Sequence, residues 1–226
     1  MKKRILGRGL AVALALAFSL MMLAAAIYVP ATAGWVMQPL MERFAPSEVS
    51  RLPAEEYTPV VHMITTYLRG ETDAFQHVFT VEGNEYAAFN AKEQHHMDDV
   101  QQLFHLCQRV GWTCGSLVII LVLILHGGIS WRTFRRALIA ILGAVTCLIV
   151  IACIDFNSLF ILFHQVAFTN DLWLLNPQTD LLIRLMPLEF FISYAAIIGG
   201  IWLIGMVSAL AGSILLQRFR KKGVTP

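Results

Sequence analysis

Four stretches of the chain, 9–29, 110–129, 137–154 and 190–216, contain no Asp, Glu, Lys or Arg. Each is close to the ~20 apolar residues that a helix needs to cross a bilayer. Lipid offers no partners to backbone polar groups, so such stretches are expected to span as helices. Four crossings return both ends of the chain to one face. All 15 acidic residues then fall in the connecting segments 30–109 and 155–189, and eleven of the 17 Lys and Arg fall in 1–8, 130–136 and 217–226. Basic loops are retained in the cytoplasm. The expected topology therefore has both termini and the short middle loop inside and the two acidic segments outside. The formal net charge of +2 averages over this division.

A chain of 226 residues that is 57% hydrophobic has room for one membrane unit and a modest cap, not for a separate large catalytic domain. Nucleic acid is not an expected partner, because topology accounts for the basic clusters. Pro30-Ala31-Thr32-Ala33 can be read as a signal-peptidase site, but the apolar run before it is longer than the ~7–15 residues of a signal core. A retained first helix is the expectation. Cys107 and Cys114, seven residues apart on one expected helix, are too distant to bridge, and no C-x-x-C occurs.

Within 30–109, residues 54–68 have the spacing of an amphipathic helix that places Val60, Met63, Ile64 and Tyr67 on one face. His77–Val81 and Glu85–Phe89 read as two strands around a Glu82-Gly83-Asn84 turn, with Gly and Asn supplying positive φ. From Lys92 a helical pattern runs without proline into the second crossing. The fold class expected is a mainly α membrane protein, with four transmembrane helices and a small mixed α/β extracytoplasmic cap. The segment 155–189 is rich in Phe, Leu and Trp, as expected of a loop that re-enters the interface and turns polar groups toward a cavity.

Two histidines of the outer segments stand in polar surroundings beside apolar runs: His96 in EQHHMDDV and His164 in FHQVAFTND. Both are candidate acids or bases. On a helix, Asp98 follows His95 by three residues and Asp99 follows His96 by three, so each carboxylate can bond a ring nitrogen and fix its tautomer. The plain alternative is a solvated charge pair on an exposed face. His62, His77 and His105 read as surface or packing residues, and His126 as an interfacial anchor. No G-x-S-x-G is present, and H-x-x-x-H and H-E-x-x-H are absent, so neither a serine nucleophile nor a zinc site is expected.

At these residues the chain resembles the Lit family, the bacterial lipoprotein intramolecular transacylases. FNAKEQHHMDDV at 89–100 is similar to that family's E-x-x-H-M-x-D-V element, fitting at Glu93, His96, Met97, Asp99 and Val100. FHQVAFTNDLWLLNPQTDLLIRLMP at 163–187 and Phe190-Phe191 extend the likeness, and the tandem His95-His96 is a departure from it. The resemblance implies transfer of the sn-2 acyl chain of a diacylglyceryl-cysteine lipoprotein to that cysteine's own α-amino group. It implies His96 and His164 as the catalytic residues and a bacterial cell membrane location, with membrane lipids and lipoproteins as partners and no cofactor. Asp99 and Glu93 are expected to support the site, Asn170 and Arg184 to donate to an oxyanion, and Trp173 to sit at headgroup level. Two rival readings are a non-catalytic module that binds a lipid or a partner, and a metal-dependent membrane hydrolase built on His95, His96, Asp98 and Asp99.

Overall fold

The computed structural model describes residues 2–81, 83–124 and 129–221. The anchor expected at His126 and the first residue of the expected turn, Glu82, lie outside the described residues. Helix α1 (Lys2–Ala31) is followed by α2 (Gly34–Phe44), α3 (Ser47–Ser50), a short 3₁₀ turn at Ala54–Glu56 and α4 (Tyr57–Leu68). Strands β1 (Val78–Val81) and β2 (Asn84–Ala87) then precede α5 (Ala91–Ile124), α6 (Trp131–Ile154), α7 (Phe156–Ala167), α8 (Leu181–Leu185) and α9 (Leu188–Lys221). The protein is a mainly helical membrane protein. Among the described residues, four helices are long and apolar enough to cross a bilayer: Leu6–Ala31, Ala91–Ile124, Trp131–Ile154 and Leu188–Arg218. Their mean hydropathies are 2.6, 1.7, 3.0 and 2.1, and the lowest belongs to the helix with a polar start.

The hairpin cap lies between the first and second of these helices in sequence. Its strands pair antiparallel, with Val78 opposite Ala87 and Val81 opposite Asn84. The turn is thus one residue tighter than the sequence suggests. Gly83 takes a positive φ there, at 80°, while Asn84 is already in the ladder. The amphipathic reading of α4 holds with a wider buried face: Val60, Ile64 and Tyr67 are buried together with Val61 and Leu68, and Met63 is half-buried. Gly70 closes this helix at φ 73°, with its N–H on the Tyr67 carbonyl (2.8 Å) and the Glu71 N–H on the Thr66 carbonyl (3.0 Å). Only glycine adopts that left-handed cap freely. The segment 155–189, expected as a loop, contains α7 and α8, and α7 starts where the Asp155 carboxylate accepts the Ser158 N–H at 3.0 Å.

Two compact units divide the chain: residues 1–26, 108–154 and 198–226 in one, residues 27–107 and 155–197 in the other. The first packs around Leu14, Leu121, Leu138, Trp202 and Met206. Its polar links are few; the Trp202 indole N–H donates to the Ser19 carbonyl at 3.2 Å, and the Arg135 guanidinium to Gln217 at 2.7 Å. The second has a core of Met41, Leu52, Ile64, Tyr67, Phe89, Met97 and Leu185. Both candidate histidines belong to it.

Candidate functional site

The start of α5 is fixed by its own sequence. Asn90 and Glu93 form a reciprocal cap, in which the Asn90 side-chain oxygen accepts the Glu93 N–H (3.1 Å) and the Glu93 carboxylate accepts the Asn90 N–H (2.8 Å). The other Glu93 oxygen takes the Leu182 N–H at 2.6 Å, tying α5 to the first turn of α8. Glu93 is only 1% exposed. Both of its oxygens hold backbone N–H groups. Asp180, also buried, accepts the Asn90 amide (2.9 Å), the Thr179 hydroxyl (2.7 Å) and the Asn176 N–H (2.7 Å). Burial pushes the Asp180 carboxyl up, but these donors outweigh it and the net shift is downward. Asn90 and Asp180 were not singled out in the sequence, although the N-x-x-E spacing ahead of a helical run was a readable signal.

This brace sets His96 one turn further along α5 and brings it to His164 near the end of α7. The ring centroids are 6.2 Å apart with their planes 31° from parallel. His96 and His164 are 7% and 8% exposed. Phe168 lies against both rings, at 5.2 Å from His96 and 5.5 Å from His164, and Phe160 (4.2 Å) and Trp173 (5.1 Å) also flank His164. Trp173, expected at headgroup level among the supporting or substrate-binding residues, is part of the wall around an imidazole.

The two rings differ in their bonding. His164 Nδ1 is 2.7 Å from the Phe160 carbonyl oxygen, which only accepts, so Nδ1 carries the proton and Nε2 the lone pair. Burial pushes the His164 imidazole below its ordinary value, while the Phe160 carbonyl partly opposes the shift. His96 Nδ1 is buried without any hydrogen-bond partner. The expected bond from Asp99 to this ring is not formed. Asp99 accepts the Asn170 amide at 2.8 Å instead, across 71 residues of sequence.

His95 and Asp98 do pair, at 3.3 Å, and Asp98 also accepts the Tyr67 hydroxyl at 2.6 Å. His95 is 68% exposed whereas His96 is buried, so the tandem histidines divide between solvent and site. Among the described residues, no three of the His, Cys, Asp and Glu side chains are grouped to hold a metal ion. Arg184 donates to the Ser50 carbonyl (3.0 Å) and the Pro177 carbonyl (3.2 Å), bracing α3 and the loop ahead of α8. Those bonds engage the guanidinium in holding backbone, the alternative to its expected oxyanion role. Beside His164 an open groove of about 630 Å³ is lined by Ile161, Gln165, Val166, Phe168, Asn170, Trp173 and Leu174, among others.

Comparison with known proteins adds an independent line. The sequence profile of the lipoprotein intramolecular transacylase family Lit matches residues 12–191. No curated protein matches the sequence. The in meso structure of the membrane integral lipoprotein intramolecular transacylase Lit from Bacillus cereus is similar with a TM-score of 0.77 at 19% identity, covering 95% of this chain and 98% of that one. Two structures of the same protein with one histidine replaced, by arginine or by alanine, each align with a TM-score of 0.78 at 18% identity. The arginine form covers 97% of this chain and 95% of that one, and the alanine form 96% of each. At this identity the likeness is one of fold.

Proposed function

The chain belongs to the Lit family of lipoprotein intramolecular transacylases, and from that premise we propose that it moves the sn-2 acyl chain of a diacylglyceryl-cysteine lipoprotein to the α-amino group of the same cysteine. The product is a lyso-form lipoprotein. The observation that carries this reading is the approach of two buried imidazoles, His96 and His164, at 6.2 Å with one lone pair left free by a backbone bond.

Aminolysis of an ester needs a neutral amine, and an α-amino group with pKa ~8 is mostly protonated at pH 7. His164 Nε2 takes one proton from the ammonium and passes it to water. The amine nitrogen then attacks the sn-2 carbonyl carbon. As the carbonyl–glyceryl oxygen bond breaks, the second nitrogen proton is relayed through His96 to the departing oxygen, which leaves as a hydroxyl. One N–C bond forms and one C–O bond breaks. Donor and acceptor belong to one molecule, so holding them in a cyclic geometry supplies an effective molarity on the order of 10⁵ M without an acyl-enzyme. The aromatic side chains around His164 give the reacting ester a largely apolar wall. Amide N–H groups of Asn170 or of the backbone are the available oxyanion donors.

The charge asymmetry supports a topology with both termini cytoplasmic and this chemistry at the outer face. In cells lacking other lyso-forming activity, mass analysis of one lipoprotein's N-terminus tests the reading. His96→Ala and His164→Ala are each expected to reduce lyso-form by about a hundredfold or more, within the range for removing a general acid or base. Wild-type yields from either variant, at equal membrane levels, would refute the acid–base roles.

A further inference from the structure

We infer that Asp99 is the anchor for the substrate's α-ammonium group, a binding residue and not the orienter of His96. The inference rests on the transacylase reading above, because it takes the lipoprotein amine as the acceptor. Three observations carry it. Asp99 lies three residues after His96 on α5 and is half-buried. Residues so spaced share a helix face, so the carboxylate and the imidazole neighbour each other. Next, among the described residues Asp99 forms no ion pair, and its contact is the neutral Asn170 amide on one oxygen, at 2.8 Å. Third, Asn170 is itself part of the groove wall beside His164, and His96 Nδ1 is a buried polar atom still lacking a partner. A negative charge without a counterion, at the rim of a groove and next to an unsatisfied imidazole, suits a ligand with a small cation at its polar end.

The α-ammonium of a lipid-modified cysteine is such a group. Asp99 accepts one of its N–H bonds and Asn170 holds the carboxylate from the other side. A second N–H remains for the His164 lone pair, so anchoring and deprotonation use different protons of one nitrogen. The carboxylate also distinguishes substrate from product: the product amide is uncharged and loses this attraction, which favours release.

Binding of an inert probe to the full-length protein in detergent tests this without relying on turnover. The probe is a diether lipopeptide with a free α-amino group, compared with the same compound bearing an α-hydroxyl. Wild-type protein is expected to prefer the amine by about tenfold at pH 6.5, the size of a charge-assisted hydrogen bond. Asp99→Asn is expected to abolish that preference and Asp99→Glu to restore part of it. In turnover assays the Asn variant should raise KM more than it lowers kcat. Its KM should also lose the rise that wild type shows as pH passes the amine pKa. An equal loss of affinity for both probes in Asp99→Asn would mark a structural role and overturn the inference. So would an undiminished amine preference in that variant, or no preference in wild type. Failure of the histidine variants to lose activity would strike the acid–base proposal alone and leave this binding result standing.

Discussion

In the unit built from residues 1–26, 108–154 and 198–226, large apolar side chains such as Leu123, Ile154 and Ile204 point outward, and what is buried includes Ala11, Ala15, Ala26 and Met206. In the unit of residues 27–107 and 155–197 the buried set includes aromatic and charged side chains. Tyr67, Phe89, Leu52 and Leu185 are inside, accompanied by the charged or polar Glu93, Asp180, His96 and His164. The difference follows from solvent. Among lipid tails, burying another aliphatic group yields no hydrophobic gain, so packing relies on small residues that let helices approach. Where water is the alternative, large side chains stabilise by burial, and any polar group taken inside must be fully bonded. The second unit meets that condition through Glu93 and Asp180, and it is there that His96 Nδ1 stands out, buried and without a partner among the described residues.

The sharpest way to break this contrast is Glu93→Ala. It leaves the Leu182 and Asn90 N–H groups without their acceptor, and a cost of about 3–5 kcal/mol is expected, read as a lower thermal midpoint in detergent together with loss of lyso-form product. A cost no greater than that of an exposed substitution would mean the polar brace is dispensable. Next in size is the pH response. His164 works with its lone pair free, and burial shifts its imidazole downward, so it is half-protonated only at a pH below 6.5. The rate should fall by up to about tenfold per pH unit below that point as the base is lost. An acid limb centred above 6.5 would contradict the downward shift. The smallest effect is expected in the other unit: Ile204→Ala, on a side chain 68% exposed, should change stability by less than about 0.5 kcal/mol. Leu185→Ala, fully buried in the second unit, should cost about 2–5 kcal/mol by the same melt. Similar values for this pair would erase the distinction.

Much of this architecture was readable from residue order. The apolar runs were legible because lipid imposes one requirement, a long uncharged helix, and α4 showed its buried face through simple spacing. The meeting of His96 and His164 was legible only through likeness to a family, since nothing local joins residues 68 positions apart. Asp99 went astray for a related reason. Its spacing to His96 permitted a local bond, but the carboxylate is met by Asn170 from a distant loop, and sequence spacing cannot foresee a partner that arrives through tertiary structure. The hairpin differed by one residue because Asn84, expected in the turn, pairs with Val81 in the ladder. Helix α7 was missed although its spacing was readable: Phe156, Leu159, Phe160, Phe163 and Ala167 recur at helical intervals, but 12 residues are too short to span and the run merges in composition with the aromatic loop that follows.

The bond from His164 to the Phe160 carbonyl carries one more consequence. The group that fixes this imidazole's protonation pattern is main chain, so no side-chain replacement deletes it and no change of acidity switches it off. Alanine scanning across the site will pass over it in silence. Only a distortion of the peptide path itself, such as a proline at position 164's own turn, can unseat the tautomer.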